Sequence, residues 1–377
     1  MRIVDLFSGA GGLTFGFYYN KENNMFVRNR DCNIIFANEY DRAAAKSFCL
    51  NFPDINMINR DIRDLSKEEV LQLIGDDEID LIIGGPPCQS YSTIGRRVYD
   101  DKAKLYNEYY RMLSIIKPKM FLFENVRGML SMKDEDGKLI IDNIQNMFAN
   151  ITGELGYNIV YDIIDAVNYG VPQHRERVFI IGIRNDLNIV WDFRNLVIET
   201  VQFTLEDAIS DLPEIASGED IHEYGERQPV NDYQRLMRGT NEDLSAHFLA
   251  VYGEKIQTIM NNVIQGEGKN YINSLVDQGI LEEQYRLTSG YKNTYGRLYA
   301  DQPCTTITNN MSTPSGLRCI HYEQNRALTP REGARIQSFP DWFRFTGNRR
   351  EIKTQIGNAV PPLLAMKFAE QLEKILG

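Results

Sequence analysis

The chain has 377 residues, 43% hydrophobic and 25% charged, with a formal net charge of −11. That is the make-up of a soluble globular protein with room for two domains, or for one with a large insertion. No apolar run is long enough to span a bilayer, and the five cysteines (Cys32, Cys49, Cys88, Cys304, Cys319) contain no CxxC pair. This speaks against a membrane protein, a disulfide scaffold and a zinc site, and points to a reducing compartment. The four histidines are scattered, so no metal is expected.

Met1-Arg2-Ile3-Val4-Asp5-Leu6 enters a strand at once and does not read as a secretory leader. The pattern predicts strands over 2–6, 33–38, 55–59, 79–83, 119–123, 158–164 and 177–183. It predicts helices over 11–19, 42–50, 67–74, 104–116 and 138–154. This alternation implies βαβ units and a mostly parallel sheet, hence an α/β fold. Residues 20–32 are polar and read as an inserted loop. From 187 to about 325 the rhythm is lost, which suggests a second, irregular module. A helix resumes at 361–369, with proline in its first turn.

The negative net charge argues weakly against a nucleic-acid partner, but its distribution is uneven. Between 187 and 280 acids outnumber bases by 16 to 6; between 281 and 350 bases outnumber acids by 10 to 6. Those ten bases are Arg286, Lys292, Arg297, Arg318, Arg326, Arg331, Arg335, Arg344, Arg349 and Arg350, interleaved with tyrosines. Such a stretch is either a polyanion-binding face or a solvated surface.

The strand ends carry the chemistry. Strand one runs into Asp5-Leu6-Phe7-Ser8-Gly9-Ala10-Gly11-Gly12, a glycine-rich turn that lets a ligand approach the backbone. It fits a dinucleotide site, an S-adenosylmethionine site or a plain tight turn. Glu39 and Asp61 end the next two strands, where carboxylates suit a ribose and an adenine amine; a solvated strand-end charge is the alternative. The apolar run 79–83 leads into Gly85-Pro86-Pro87-Cys88-Gln89-Ser90. Two prolines stiffen that tip and remove two amide donors, so the cysteine is either a positioned nucleophile or a buried structural thiol. Glu124 ends the apolar run 119–123, where desolvation raises its pKa towards that of a general acid at neutral pH. In Pro172-Gln173-His174-Arg175-Glu176-Arg177, period two places Gln173, Arg175 and Arg177 on one face and turns His174 away.

Eight segments in order, DLFSGAGG, ANEYD, RDI, GGPPCQSYS, ENVRG, PQHRERV, LTPREGARIQSFPD and IGNAVP, resemble the cytosine-C5 DNA methyltransferase family. The resemblance covers residues 3 to about 183 and from about 306 to the end. It implies a Rossmann-like S-adenosylmethionine-dependent methyltransferase fold with a smaller, irregular target-recognition domain. The implied units are 1–186 (catalytic and cofactor-binding), 187–325 (target recognition), 326–350 (base and hinge of the small domain) and 351–377 (returning to the large domain). By the same resemblance Phe7, Ser8, Gly9, Ala10, Gly11, Gly12, Glu39, Tyr40, Asp61, Ile62, Pro86, Leu105, Asn358 and Ala359 hold S-adenosylmethionine.

The implied chemistry begins with a cytosine flipped out of duplex DNA. Cys88 adds to C6, Glu124 contacts N3 and the amine, and C5 takes the methyl group, leaving S-adenosylhomocysteine. Arg177 touches the cytosine carbonyl and Glu124, while Arg175 sits nearer the nucleophile or a phosphate. Asn125 and Ser92 hold a catalytic loop of about 89–104, and Gln89, Arg96 and Arg97 on that loop meet DNA. Arg286, Lys292, Arg297 and Thr306 meet DNA from the small domain, whereas Arg331, Arg335 and Gln337 organise its base. The implied setting is a monomer in a bacterial cytoplasm, acting on double-stranded DNA beside a separately encoded restriction endonuclease. A tRNA methyltransferase of the same fold and a catalytically silent DNA-binding regulator are the rival readings. The target sequence is not readable.

Overall fold

The computed structural model describes residues 1–87, 105–151 and 156–377. In its first half the elements are β1 (Arg2–Leu6), α1 (Gly12–Tyr18), β2 (Tyr19–Glu22), β3 (Met25–Arg28), β4 (Asn33–Asn38), α2 (Arg42–Asn51) and β5 (Asn56–Ile58). There follow α3 (Lys67–Ile74), β6 (Leu81–Gly84), α4 (Tyr106–Ile116), β7 (Met120–Val126), α5 (Ile140–Ala149), β8 (Tyr157–Asp165) and β9 (Glu176–Arg184). Seven of the strands form one sheet in the order β5-β4-β1-β6-β7-β9-β8. Pairing is parallel as far as β7, and β9 then runs antiparallel to both β7 and β8.

Period-two alternation splits the strand side chains between two cores, which is why these strands read as continuous apolar runs. Leu81, Ile83 and Leu122 face one core with Phe15 and Phe368. Ile82, Phe121 and Phe123 face the other with Tyr109 and Phe148. From β1 the chain moves outward to β4 and β5, then returns to β6 on the other side of β1. Strand order therefore reverses at β1 and β6, and ligands of open α/β sheets bind at the carboxyl ends of such a pair. The glycine-rich turn follows β1, and Gly85-Pro86-Pro87 follows β6.

The polar segment 20–32, expected to be a loop, is largely the β2–β3 hairpin. Asn23 and Asn24 both take positive φ, 47° and 59°, as a two-residue hairpin turn requires. Phe26 packs edge-on against Phe15 with ring centroids 5.0 Å apart, so the hairpin is tied to the core.

The remaining elements are α6 (Leu205–Ile209), β10 (Asp220–Glu223), α7 (Asp232–Arg238), β11 (Asp243–Phe248), α8 (Glu254–Asn262), α9 (Lys269–Asp277), α10 (Pro330–Ile336), α11 (Arg349–Asn358) and α12 (Pro362–Leu376). The hydrophobic core does not break at 187: Leu205, Tyr233 and Leu244 share one cluster with Ile3, Ala334 and Phe368. A separate small core holds Ile259, Met260, Val263, Ile272, Leu275, Leu287 and Ile320. Helix α12 lies so close to α1 that a Cβ on Gly16 would meet the Ala365 carbonyl carbon at 2.2 Å. Among the described residues, no helix is long and apolar enough to cross a membrane.

Candidate active site

At the end of β1 the chain turns through Phe7, Gly9 and Gly11, all at positive φ (58°, 58° and 98°). Gly9 has nothing within 4 Å of a would-be Cβ, so its outer face is open. Gly11 and Gly12 face inward instead. A Cβ on Gly11 would strike the Phe52 ring, and one on Gly12 would strike Val360 O at 2.4 Å and the Ala359 Cβ at 3.1 Å. The turn is thus clamped between α2 and the segment Asn358-Ala359-Val360. Ser8 and Ala10 are buried within it, and Ser8 N donates to Asn38 O across to β4.

Glu39, just past β4, accepts hydrogen bonds from Gly9 N (2.8 Å) and Asp41 N (2.7 Å). Burial pushes its carboxyl up, and those two amides oppose the shift. Tyr40 beside it is 72% exposed. Asp61 is held by Arg63 through Nε (2.9 Å) and Nη2 (2.6 Å), which lowers its pKa; Ile62 is buried next to it. Pro86 is buried, Leu105 and Ala359 are half-buried, and Asn358 is exposed. Asp5 was not foreseen as part of this region. It lies fully buried beneath the turn, receives the Thr14 hydroxyl, and is pushed up to about 8 by burial. Its apolar surroundings were hidden in sequence, because Asp5 reads there as one polar residue in a strand.

Cys88, Gln89, Ser92, Arg96 and Arg97 lie outside the described residues. The residues around their entry point are well placed. Glu124 lies within β7, its side chain 12% exposed, with Oε1 3.1 Å from Arg177 Nε. Burial raises its pKa, opposed by the charges of Arg177 and Arg175. A Cβ on Gly85 would lie 2.8 Å from Glu124 Oε2, so the backbone three residues before Cys88 rests against this carboxyl. Asn125 Nδ2 donates to Pro86 O (3.2 Å), tying β7 to the proline tip.

Arg175 departs from expectation. It is only 1% exposed, and it donates to Ile307 O and Gly357 O, each at 3.0 Å. Those bonds link β9 to the returning chain and to α11, so Arg175 cannot reach a phosphate. Gln173 is buried beside it, with Nε2 2.6 Å from Gln337 Oε1 and Oε1 accepting from Ile307 N. His174 Nδ1 lies 2.9 Å from Asp165 Oδ2, and His174 lines the same cleft as Arg177, from which it was expected to turn away.

A cleft of about 1110 Å³ opens in front of this face. Its lining includes Arg127, His174, Glu176 and Arg177 together with Asn293, Thr306 and Arg318. The Thr306 hydroxyl donates to His174 O (2.7 Å) at the cleft floor. Arg297, expected to meet DNA, does not: it is 5% exposed and donates to the carbonyls of Val263, Met260, His321 and Gln324. Arg286 is engaged by Asp277 and Glu283, while Lys292 is exposed. Arg331 and Arg335 are fully buried at the base of α10, as expected; Arg335 pairs with Asp211 (2.7 Å) and Asp341 (2.6 Å). Arg318, named in sequence only as one base of the stretch 281–350, and Arg127, not singled out there, are both cleft residues. The Arg-Gly after Glu124-Asn125-Val126 was the available signal for Arg127.

A family model described as C-5 cytosine-specific DNA methylase matches residues 1–374. The type II methyltransferase M.DdeI of Desulfomicrobium norvegicum is 34% identical, covering 99% of this chain and 88% of the relative. M1.HphI of Haemophilus parahaemolyticus is 31% identical, covering 100% and 87%. A solved structure of a putative DNA modification methyltransferase encoded within a prophage (E. coli) superposes with a TM-score of 0.73 at 27% identity, covering 100% of this chain and 99% of that one. The family match runs from the first strand into the last helix and also covers residues 187–305, which the ordered motifs left out. The chain therefore belongs to the C-5 cytosine-specific DNA methylase family and is a DNA cytosine-5-methyltransferase.

Proposed function

We propose that this chain methylates one cytosine in a specific duplex sequence, as the modification partner of a restriction endonuclease, through a covalent adduct at Cys88. The observation that carries the mechanism is the Glu124–Arg177 pair, sheltered in β7 and resting on Gly85. A desolvated acid at that place serves a nucleophile three residues further on.

S-adenosylmethionine supplies, when bound, an electrophilic methyl group on a sulfonium. The residues that would hold it are Phe7 to Gly12, Glu39, Tyr40, Asp61, Ile62, Pro86, Leu105, Asn358 and Ala359. They fit: the Gly9 face is open, Glu39 presents a carboxylate beside it, and Tyr40 and Asn358 are exposed at the rim. The chemistry of this set suits an adenosine held by carboxylates and backbone.

The target base must first leave the stack. The Cys88 thiolate then forms a bond to C6, and the C5–C6 π pair moves into the ring. Glu124 gives its proton to N3 and so neutralises that charge, while Arg177 holds the carboxyl and faces the base carbonyl. C5 becomes the nucleophile that accepts the methyl. A base removes the C5 proton, the C5–C6 double bond re-forms, the C6–S bond breaks to free the thiolate, and N3 returns its proton to Glu124. Arg175 and Asn125 act by positioning: one joins β9 to Ile307 and Gly357, the other joins β7 to the proline tip.

The test is transfer of labelled methyl from S-adenosylmethionine to duplex DNA and to tRNA in parallel. Label in DNA that disappears in Cys88→Ala is the expected result. Label in tRNA alone, or undiminished transfer by Cys88→Ala, overturns the proposal.

A further inference from the structure

We infer that Arg318 anchors one backbone phosphate of the bound duplex and acts as a positioning residue for methylation; this rests on the DNA reading above.

Three cationic guanidiniums line the cleft among the described residues: Arg127, Arg177 and Arg318. Arg127 is paired with Glu176 at 2.7 Å and Arg177 with Glu124 at 3.1 Å. Arg318 has no ion-pair partner among the described residues, although acids are abundant in this chain. An unpaired guanidinium in an open cleft is a standing site for an anion.

The backbone beneath Arg318 is fixed. Cys319 N and Ile320 N both donate to Gly296 O, at 3.1 and 3.0 Å. Leu317 is bridged to Thr294, and Cys319 and Ile320 are buried. The stem itself runs over Gly296, where a Cβ would sit 2.5 Å from Arg318 Cγ. A long side chain that usually samples many rotamers is thus guided along one path, so less order is lost on binding.

Its surroundings select a phosphate over a base edge. Arg318 lines both the main cleft and a side recess of about 170 Å³, and His174 and Thr305 line both with it. The His174 ring is oriented by Asp165 through Nδ1, which turns Nε2 to the opposite side. The guanidinium and the Thr305 hydroxyl supply donors here, while the nearby carboxylates Asp165 and Glu176 are already engaged by His174 and Arg127. Donors of this kind satisfy phosphate oxygens, which fix register and orientation but not sequence. Arg318 and Arg177 line the same cleft, so that a strand held at Arg318 presents its nucleotides to the catalytic face.

The experiment measures dissociation constants for Arg318→Gln, Arg318→Lys and the wild type. The probes are a duplex carrying the site mapped by bisulfite sequencing and a scrambled duplex, across a salt series. In Arg318→Gln both affinities should fall by the same factor, on the order of tenfold, with a log–log salt slope shallower by about 0.9. Arg318→Lys should keep the wild-type slope, and S-adenosylmethionine affinity should be unchanged in both. A wild-type slope in Arg318→Gln, or a loss confined to the mapped site, overturns the assignment while leaving the enzyme a DNA methyltransferase. A wild type that does not methylate duplex DNA overturns the reading beneath it.

Discussion

The carboxyl edge of the sheet and the basic stretch 281–350 both looked functional in sequence, yet charge has a different meaning in each. At the sheet edge a residue's place on its strand decides its role: Glu124 and Arg177 come from β7 and β9 and meet in front of the β6 tip. In the basic stretch the residues serve mainly to hold the lobe together. Arg297, Arg326, Arg331 and Arg335 are buried, Arg286 and Arg344 are paired with acids, and Arg349 covers the Phe248 ring. The reason is geometric. A lobe of short elements leaves many backbone carbonyls without ladder partners, and each must find a donor. Arginine brings five N–H groups in a rigid fork, so an irregular lobe recruits it as internal scaffold. Arginine density along a sequence therefore does not by itself mark a binding face.

If that contrast holds, substitutions at the sheet edge change rate and those of the buried arginines in the basic stretch change stability. The largest effect is at Cys88: Cys88→Ala should bring single-turnover methyl transfer to background with duplex affinity retained. Glu124→Gln keeps size and loses the titrating acid; kcat should fall by about 10² to 10⁴, with affinity for DNA and cofactor unchanged. In the basic stretch, Arg335→Met leaves Asp211 buried without its cation and Asp341 with only Arg331, 3.8 Å away. Denaturant unfolding should show a loss of about 3–5 kcal/mol. Arg297→Met strands four backbone carbonyls and should cost about 2–4 kcal/mol, while the salt dependence of DNA binding stays at the wild-type slope.

The smallest effect is pH-linked. His321 accepts the amides of Glu323 and Gln324 at Nδ1, and burial lowers its pKa to about 3. The folded state then binds fewer protons than the unfolded one, whose value is 6.5. Stability is complete above about pH 6.5 and declines as pH falls towards 3. Glu332, held at about 2 mainly by Arg326 against the opposing effect of burial, adds a decline below pH 4.5 of the same sign. Unfolding curves of His321→Gln should decline less steeply below pH 6.5, the remainder belonging to His247, whose pKa burial also lowers.

Strand positions in the large lobe were legible because both faces are covered, which makes each strand an unbroken apolar run. The end of β7 was not. The run stops at Phe123, but pairing with β9 continues through Glu124, Asn125 and Val126 opposite Phe179, Val178 and Arg177. Backbone hydrogen bonds carried the strand past its apolar signal, and they place the acid inside the sheet. The β2–β3 hairpin was missed because its turn is two asparagines in a polar stretch. The motifs at Gly9 and Glu39 were readable because each follows a strand end, and Glu124 because it ends an apolar run. The inward turn of Arg175 was not, since its acceptors, Ile307 O and Gly357 O, are far away in sequence. The buried arginines of 281–350 were obscured for the same reason.

The central claim is that the chain methylates cytosine C5 through Cys88 and the acid beside it. Bisulfite sequencing of plasmid from cells expressing the wild type, Cys88→Ala or Glu124→Gln tests it most directly. The account predicts protected cytosines within one recurring sequence in the wild type, none in Cys88→Ala and sparse protection in Glu124→Gln. Unprotected wild-type plasmid, or full protection in Cys88→Ala, would contradict it.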